Sequence, residues 1–269
     1  KRWIQEKAFW VHLERQIMSK TYERCSLSCR HPYEGAGFSI MGDSISTLAG
    51  WVPEGWRVHY QGEVRIDGVE MPEDTWWGRV IGHFGGHLVA NSSFSGATVE
   101  ADAGFGFPAG DSDERVRALV GADGELPDVV IVFMGINDYG WGGARNQTMG
   151  CSAAASARPE DLGGPHEVAA TVGDGALERF RCAYASMLAR IRKLAPDADI
   201  WCVTLAPGTA PGSSASETCW KYRLRGIDLD DYNRAIREEA ASAGAHVPIS
   251  GRSASTTTPS TVCIPAPLA

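Results

Sequence analysis

This 269-residue sequence predicts a three-layer α/β sandwich, with helices on both faces of a mainly parallel, five-stranded sheet. Three observations carry that expectation. Apolar runs recur between turn signals, they lack the strict alternation of a half-exposed sheet, and stretches of helical period separate them. Strands buried on both faces read as continuous apolar runs, and strands alternating with helices give right-handed crossovers. The length suits one domain with a substantial core.

The first strand is "GFSIMG", residues 37–42, and it ends at Asp43 and Ser44. "TWWGRVIGHFGG" reads as a helix closed by glycine, and "HLVANSSF" as the second strand. "GDSDERVRALVGADG" reads as a helix with Asp or Ser near its cap, followed by the strand "DVVIVFMG". Residues 175–198 hold the clearest helix, with Leu177, Phe180, Tyr184, Met187, Leu188 and Ile191 on one face. "ADIWCVTLAP" is the fourth strand, "DLDDYNRAIREEAASAG" a helix opened by Asp228 and closed by Gly244, and "HVPI" a short fifth strand. Residues 1–36 precede this rhythm as an N-terminal extension, and the domain spans 37–247. Within it, 140–173 is a Gly/Ala/Ser-rich insertion, a candidate lid. The tail, 248–269, has no period.

Composition narrows the function. A net charge of -8 offers a polyanion no basic surface, so nucleic acid is not an expected partner. No apolar run is long enough to span a membrane, and the opening residues lack the core of a signal peptide, so a cytoplasmic protein is expected. Seven scattered cysteines imply no disulfide framework. Cys25 and Cys29 lack a second pair at zinc spacing, and Cys182 and Cys202 are read as core thiols. His83 and His87 are separated by a Gly-Gly pair and have no third ligand, so they are read as solvent-facing or capping; no metal and no cofactor are expected. Trp76 and Trp77 are expected to divide between core and rim.

Three small motifs fall at the carboxyl ends of successive strands: Ser44 in "GDSI", Gly96 in "NSSFSG" and Asn137 in "GIND". In a parallel sheet these ends meet at one crevice. A Ser hydroxyl attacks an acyl carbonyl when a base takes its proton, and the oxyanion then needs donors already aimed at it. The N–H groups of Ser44 and Gly96 and the Asn137 amide would supply three, and glycine permits close approach.

In order and spacing these blocks resemble the SGNH hydrolases, or GDSL esterase/lipase family, over about residues 38–247. The resemblance implies a flavodoxin-like fold and ester hydrolysis through an acyl-enzyme. Ser44 would be the nucleophile, with Ser44, Gly96 and Asn137 forming the oxyanion hole and Asp43 and Asp138 supporting the two turns. The expected partner is a small-molecule acyl ester or acylated carbohydrate, and Trp141 is the candidate acyl or sugar contact. The oligomeric state is left open. The family's last block, Asp-x-x-His, is missing: after Asn137 come only His166 and His246, and neither has Asp three residues before it.

The tail itself suggests a reason. Codons compatible with "TTTPSTVCIPAPLA", regrouped from the third base, encode Tyr-Asp-Thr-Ile-Asp-Gly-Val-His-Pro. A single-nucleotide loss near Val247 is therefore inferred. The shifted Asp codon straddles Ser260 and Thr261, and the His codon Cys263 and Ile264, so neither side chain is in the chain. Two further readings compete with the esterase. One is a catalytically impaired relative that binds ligands without turnover. The other, ranked last because "GDSISTLAGW" lacks the glycines of a phosphate cradle, is a binding module for a phosphorylated cofactor.

Overall fold

In the computed structural model, which describes residues 33–61, 68–100, 108–139, 175–205 and 229–248, the apolar runs become four parallel strands. They are β1 (Gly37–Gly42), β2 (His87–Ser93), β3 (Val129–Phe133) and β4 (Asp199–Cys202), in the order β2-β1-β3-β4. The helices are α1 (Trp76–Phe84), α2 (Asp113–Arg117), α3 (Ile136–Tyr139), α4 (Ala176–Leu194) and α5 (Leu229–Ser242). The fold is α/β with a parallel sheet, as the alternation of strand and helix predicts. In place of a fifth strand, the described residues carry one parallel bridge: His246 lies beside Trp201, donating to Ile200 O at 2.8 Å and accepting from Cys202 N at 2.8 Å.

Strand residues alternate between two cores, because successive side chains leave opposite faces. Met41, Val130, Val132, Ile200 and Cys202 pack toward α2, α4 and α5. Phe38, Ile40, Val129, Ile131 and Phe133 pack toward α1. Helix α4 turns Phe180, Tyr184, Met187, Leu188 and Ile191 inward, as its period predicts, while Leu177 is only partly buried.

Local chemistry sets the helix ends. Thr75 caps α1 by accepting from Gly78 N at 3.0 Å, and Gly85 closes it in the left-handed region at φ 68°. Ser112 caps α2, which is shorter than its sequence pattern suggests. Asp228, the expected opener of α5, lies outside the described residues.

Two expectations need correcting. Cys182 is exposed, because it falls off the buried stripe of α4, whereas Cys202 is buried. Trp76 and Trp77 do not divide between core and rim; they are 3% and 1% exposed. Both indoles find hydrogen-bond acceptors inside, as buried Trp requires. Among the described residues no helix is long and apolar enough to cross a membrane.

Candidate active site

Register places the three motifs on one edge. Gly42 lies opposite Ser93 on one side and Phe133 on the other, so the chain leaves β1, β2 and β3 at the same level. Gly42 has to be small there, since a Cβ would overlap Ser46 Oγ and approach Ser93 Oγ.

Beyond Gly42, Ser44–Ser46 forms a 3₁₀ turn capped by Asp43, whose carboxylate accepts from Ile45 N at 3.2 Å. The α1 tryptophans hold the far end of this turn: Trp76 Nε1 donates to Ser46 Oγ at 3.1 Å and Trp77 Nε1 to Ser46 O at 3.0 Å. Asn91 of β2 adds a bond from Nδ2 to Ser46 O at 2.8 Å. Ser44 itself is half-buried, and neither its N–H nor its hydroxyl has a hydrogen-bond partner among the described residues.

The second and third turns are tied to each other. Gly96 takes φ 90°, a conformation other residues rarely adopt. Asn137 Nδ2 donates to Ala97 O at 2.7 Å, which leaves that nitrogen a second hydrogen. Asp138, read from the sequence as a support of the Asn137 loop, reaches across to the β2 turn. Its carboxylate accepts from Val99 N at 3.0 Å and Glu100 N at 3.0 Å.

A strap joins the first turn to the second. His59 N donates to Thr47 Oγ1 at 2.8 Å, Ala49 N to Tyr60 O at 2.9 Å and Ser95 N to Arg57 O at 2.7 Å. The sequence held no sign of this strap, because all but one of its acceptors are main-chain atoms. Trp141, His166 and the lid residues 140–173 lie outside the described residues, as do Cys25, Cys29 and the tail from 249. His83 belongs to α1, whereas His87 opens β2 on the solvent side and meets Glu125 at 2.7 Å. A shallow apolar groove, lined by Tyr33, Phe84, Val129, Trp201 and Pro248 among others, lies on the α1 face and touches none of the site residues.

Two carboxyls here are held above their ordinary range. Burial pushes Asp43 up to about 7, against the pull of the Ile45 N–H and the Arg115 charge. Burial likewise raises Asp138 to about 6, although the Glu100 and Val99 N–H groups oppose it. Each folded value exceeds the unfolded one near 4, so the folded state holds these protons more tightly. The resulting stability is complete below about pH 4 and is lost as pH rises through about 6–7. Asp43→Asn removes one of the two titrations. Relative to the wild type it should therefore gain about 2–3 kcal/mol more stability at pH 8 than at pH 5. Denaturant unfolding at the two pH values checks this, and an equal difference at both would reject it.

Residues 36–162 match the family model described as GDSL-like Lipase/Acylhydrolase. Over this segment, a little under half of its length, the chain is similar to the GDSL-like lipase/acylhydrolase family. The matched residues include Ser44, Gly96 and Asn137. No curated protein sequence matches the chain. Among solved structures it is similar to a protein named as a GDSL-like lipase from Bacteroides uniformis, at 23% identity and TM-score 0.47, covering 79% of this chain and 82% of that one. A second, so named, from Bacteroides ovatus gives 20% identity and TM-score 0.48 over 80% and 85%. A family two carbohydrate esterase from Clostridium thermocellum, in complex with cellohexaose, gives 15% identity and TM-score 0.44 over 83% and 55%.

Proposed function

We propose that this GDSL-like chain hydrolyses an acyl ester through an acyl-enzyme on Ser44. Ser44 Oγ attacks the ester carbonyl as its proton passes to a base, the tetrahedral oxyanion collapses with expulsion of the alcohol, which takes up that proton, and water then hydrolyses the acyl-enzyme to the acid and free Ser44. The N–H groups of Ser44 and Gly96 and the free Nδ2 hydrogen of Asn137 receive the oxyanion. The observation that carries this reading is the pairing of a half-buried Ser44, whose N–H and hydroxyl are unengaged, with an Asn137 amide fixed on Ala97 O at 2.7 Å. Asp43 and Asp138 are supports, the first by capping the nucleophile turn and the second by binding the Gly96 turn. The substrate class is a small acyl ester, including acylated carbohydrate, and Trp141 is the residue at which to seek a sugar or acyl contact.

One observation favours the second reading, a chain that binds esters and turns them over poorly: among the described residues no imidazole hydrogen-bonds Ser44. One experiment addresses both. Incubation with a serine-directed phosphonate should place the adduct on the peptide carrying Ser44, and Ser44→Ala should abolish it. An adduct elsewhere, or one that survives Ser44→Ala, would sink the nucleophile assignment. Labelling at Ser44 without catalytic turnover of p-nitrophenyl acetate would select the second reading.

A further inference from the structure

Arg115 is fully buried, at 0% exposure, on a helix whose sequence "DERVR" looks like a solvated surface. Its Nη2 donates to Gly42 O at 3.0 Å and approaches Met134 Sδ at 3.7 Å. Its guanidinium carbon stands 4.6 Å from the centroid of the Phe94 ring and 5.2 Å from that of Trp56. One side chain therefore touches the ends of β1, β2 and β3 and the strap, beneath the edge from which Ser44, Gly96 and Asn137 emerge. Nε and Nη1 have no hydrogen-bond partner, and no carboxylate among the described residues forms an ion pair with it. The charged groups acting on Asp43 are Arg115 from α2 and Asp138 from α3.

A buried cation without a direct partner is expensive, and apolar replacements of such groups are often neutral or stabilising. Fold stability alone therefore gives a weak account of an arginine here, and its position gives a better one. We propose that Arg115 is a positioning residue for the nucleophile turn, acting through the Gly42 carbonyl and the Asp43 carboxylate. Its donor fixes the peptide that leads into the turn. Its charge favours the ionised Asp43, the form that accepts best from Ile45 N and so holds Ser44 at the head of the turn. Arg115 does not touch substrate; its effect passes through Asp43. The inference rests on Ser44 being the nucleophile.

The test has two independent readouts on the full chain. The first is a carboxyl-carbon NMR titration of Asp43 in the wild type, Arg115→Met and Arg115→Lys. Arg115→Met should raise the Asp43 midpoint by about one pH unit, a tenfold change in acidity, and Arg115→Lys should restore it. The second is the rate of phosphonate labelling at Ser44, which should fall by about threefold in Arg115→Met at pH 7.5 and recover toward pH 9 as Asp43 ionises. Arg115→Gln, which keeps a donor for Gly42 O without the charge, stands in should the Met variant not fold. An unmoved Asp43 midpoint in a folded neutral variant overturns the proposal. So does a shifted midpoint with an unchanged labelling rate. If the wild type is never labelled at Ser44, the esterase reading fails while the titration still decides whether Arg115 governs Asp43.

Discussion

Asn137→Ala should slow the reaction at Ser44 by about a hundred- to a thousand-fold and leave reagent binding almost unchanged, the expected result of removing a proposed oxyanion donor. The side chain is preorganised, because one Nδ2 hydrogen is spent on Ala97 O at 2.7 Å and fixes the direction of the other. A donor already in place needs no reorganisation when charge develops on the carbonyl or phosphonyl oxygen, so its contribution appears in the rate and little in the ground state. The measurement is the dependence of phosphonate labelling on reagent concentration, which separates the limiting rate from the half-saturating concentration. Asn137→Asp adds a second arm: it preserves shape but replaces the donor by an acceptor facing Ala97 O, and it should be at least as slow as Asn137→Ala. A limiting rate that survives both substitutions would remove Asn137 from the oxyanion hole.

The other large effect concerns the proton leaving Ser44. A positioned general base contributes about a hundred- to ten-thousand-fold, and the Asp-x-x-His block expected to supply one is missing from the sequence, although codons compatible with the tail would encode it in a shifted frame. Ester turnover by the chain as it stands should accordingly be slow, and restoring the frame by one nucleotide near Val247 should raise it by about that factor.

His246 is not expected to stand in for the missing residue. It pairs with Trp201, which aligns through Ile131 with Ile40. It therefore lies about 13 Å from Ser44 along the strands and about 14 Å across them. Its ring meets Asp199, the first residue of β4, at 3.6 Å, so it sits toward the amino end of the sheet. His246→Ala should leave turnover of p-nitrophenyl acetate unchanged. His59, whose N–H is bonded to Thr47 Oγ1, is the described imidazole whose backbone is tied to the nucleophile turn, and His59→Gln is the control for a substitute base. Fast, Ser44-dependent hydrolysis by the unrestored chain that survives His59→Gln, His166→Ala and His246→Ala would reject this account of the proton.

The strands and the site edge were legible because both follow from local patterns. Apolar runs mark strands buried on two faces, and parallel strands must release Asp43, Gly96 and Asn137 on one side. The tryptophans were less legible. Nothing within "TWWGRV" indicates that both indoles lie beneath the nucleophile turn, and it is Ser46, thirty residues earlier, that satisfies their N–H groups. Arg115 was invisible for a similar reason. A charge between Glu114 and Val116 reads as solvated, and only the meeting of Trp56, Phe94 and Gly42 around it makes an interior site. Asp138 followed a mixed course: its place beside Asn137 marks it as a support, but its bonds to Val99 and Glu100 join two turns far apart in sequence.

Those bonds also mark where the chain is free to vary. The Asn137 amide and the Asp138 carboxylate fasten the turn after β3 to the turn after β2, and the fastening ends at Glu100 on one side and near Tyr139 on the other. Connections that begin outside the fastened pair, after 100 and after 139, can change in length without breaking these bonds. Exchange of these two segments between relatives is thus a route to altered selectivity that leaves the proposed oxyanion donors where they are. The same rigidity makes point changes inside the pair poor starting points for engineering, because a shift in either turn is carried to the other.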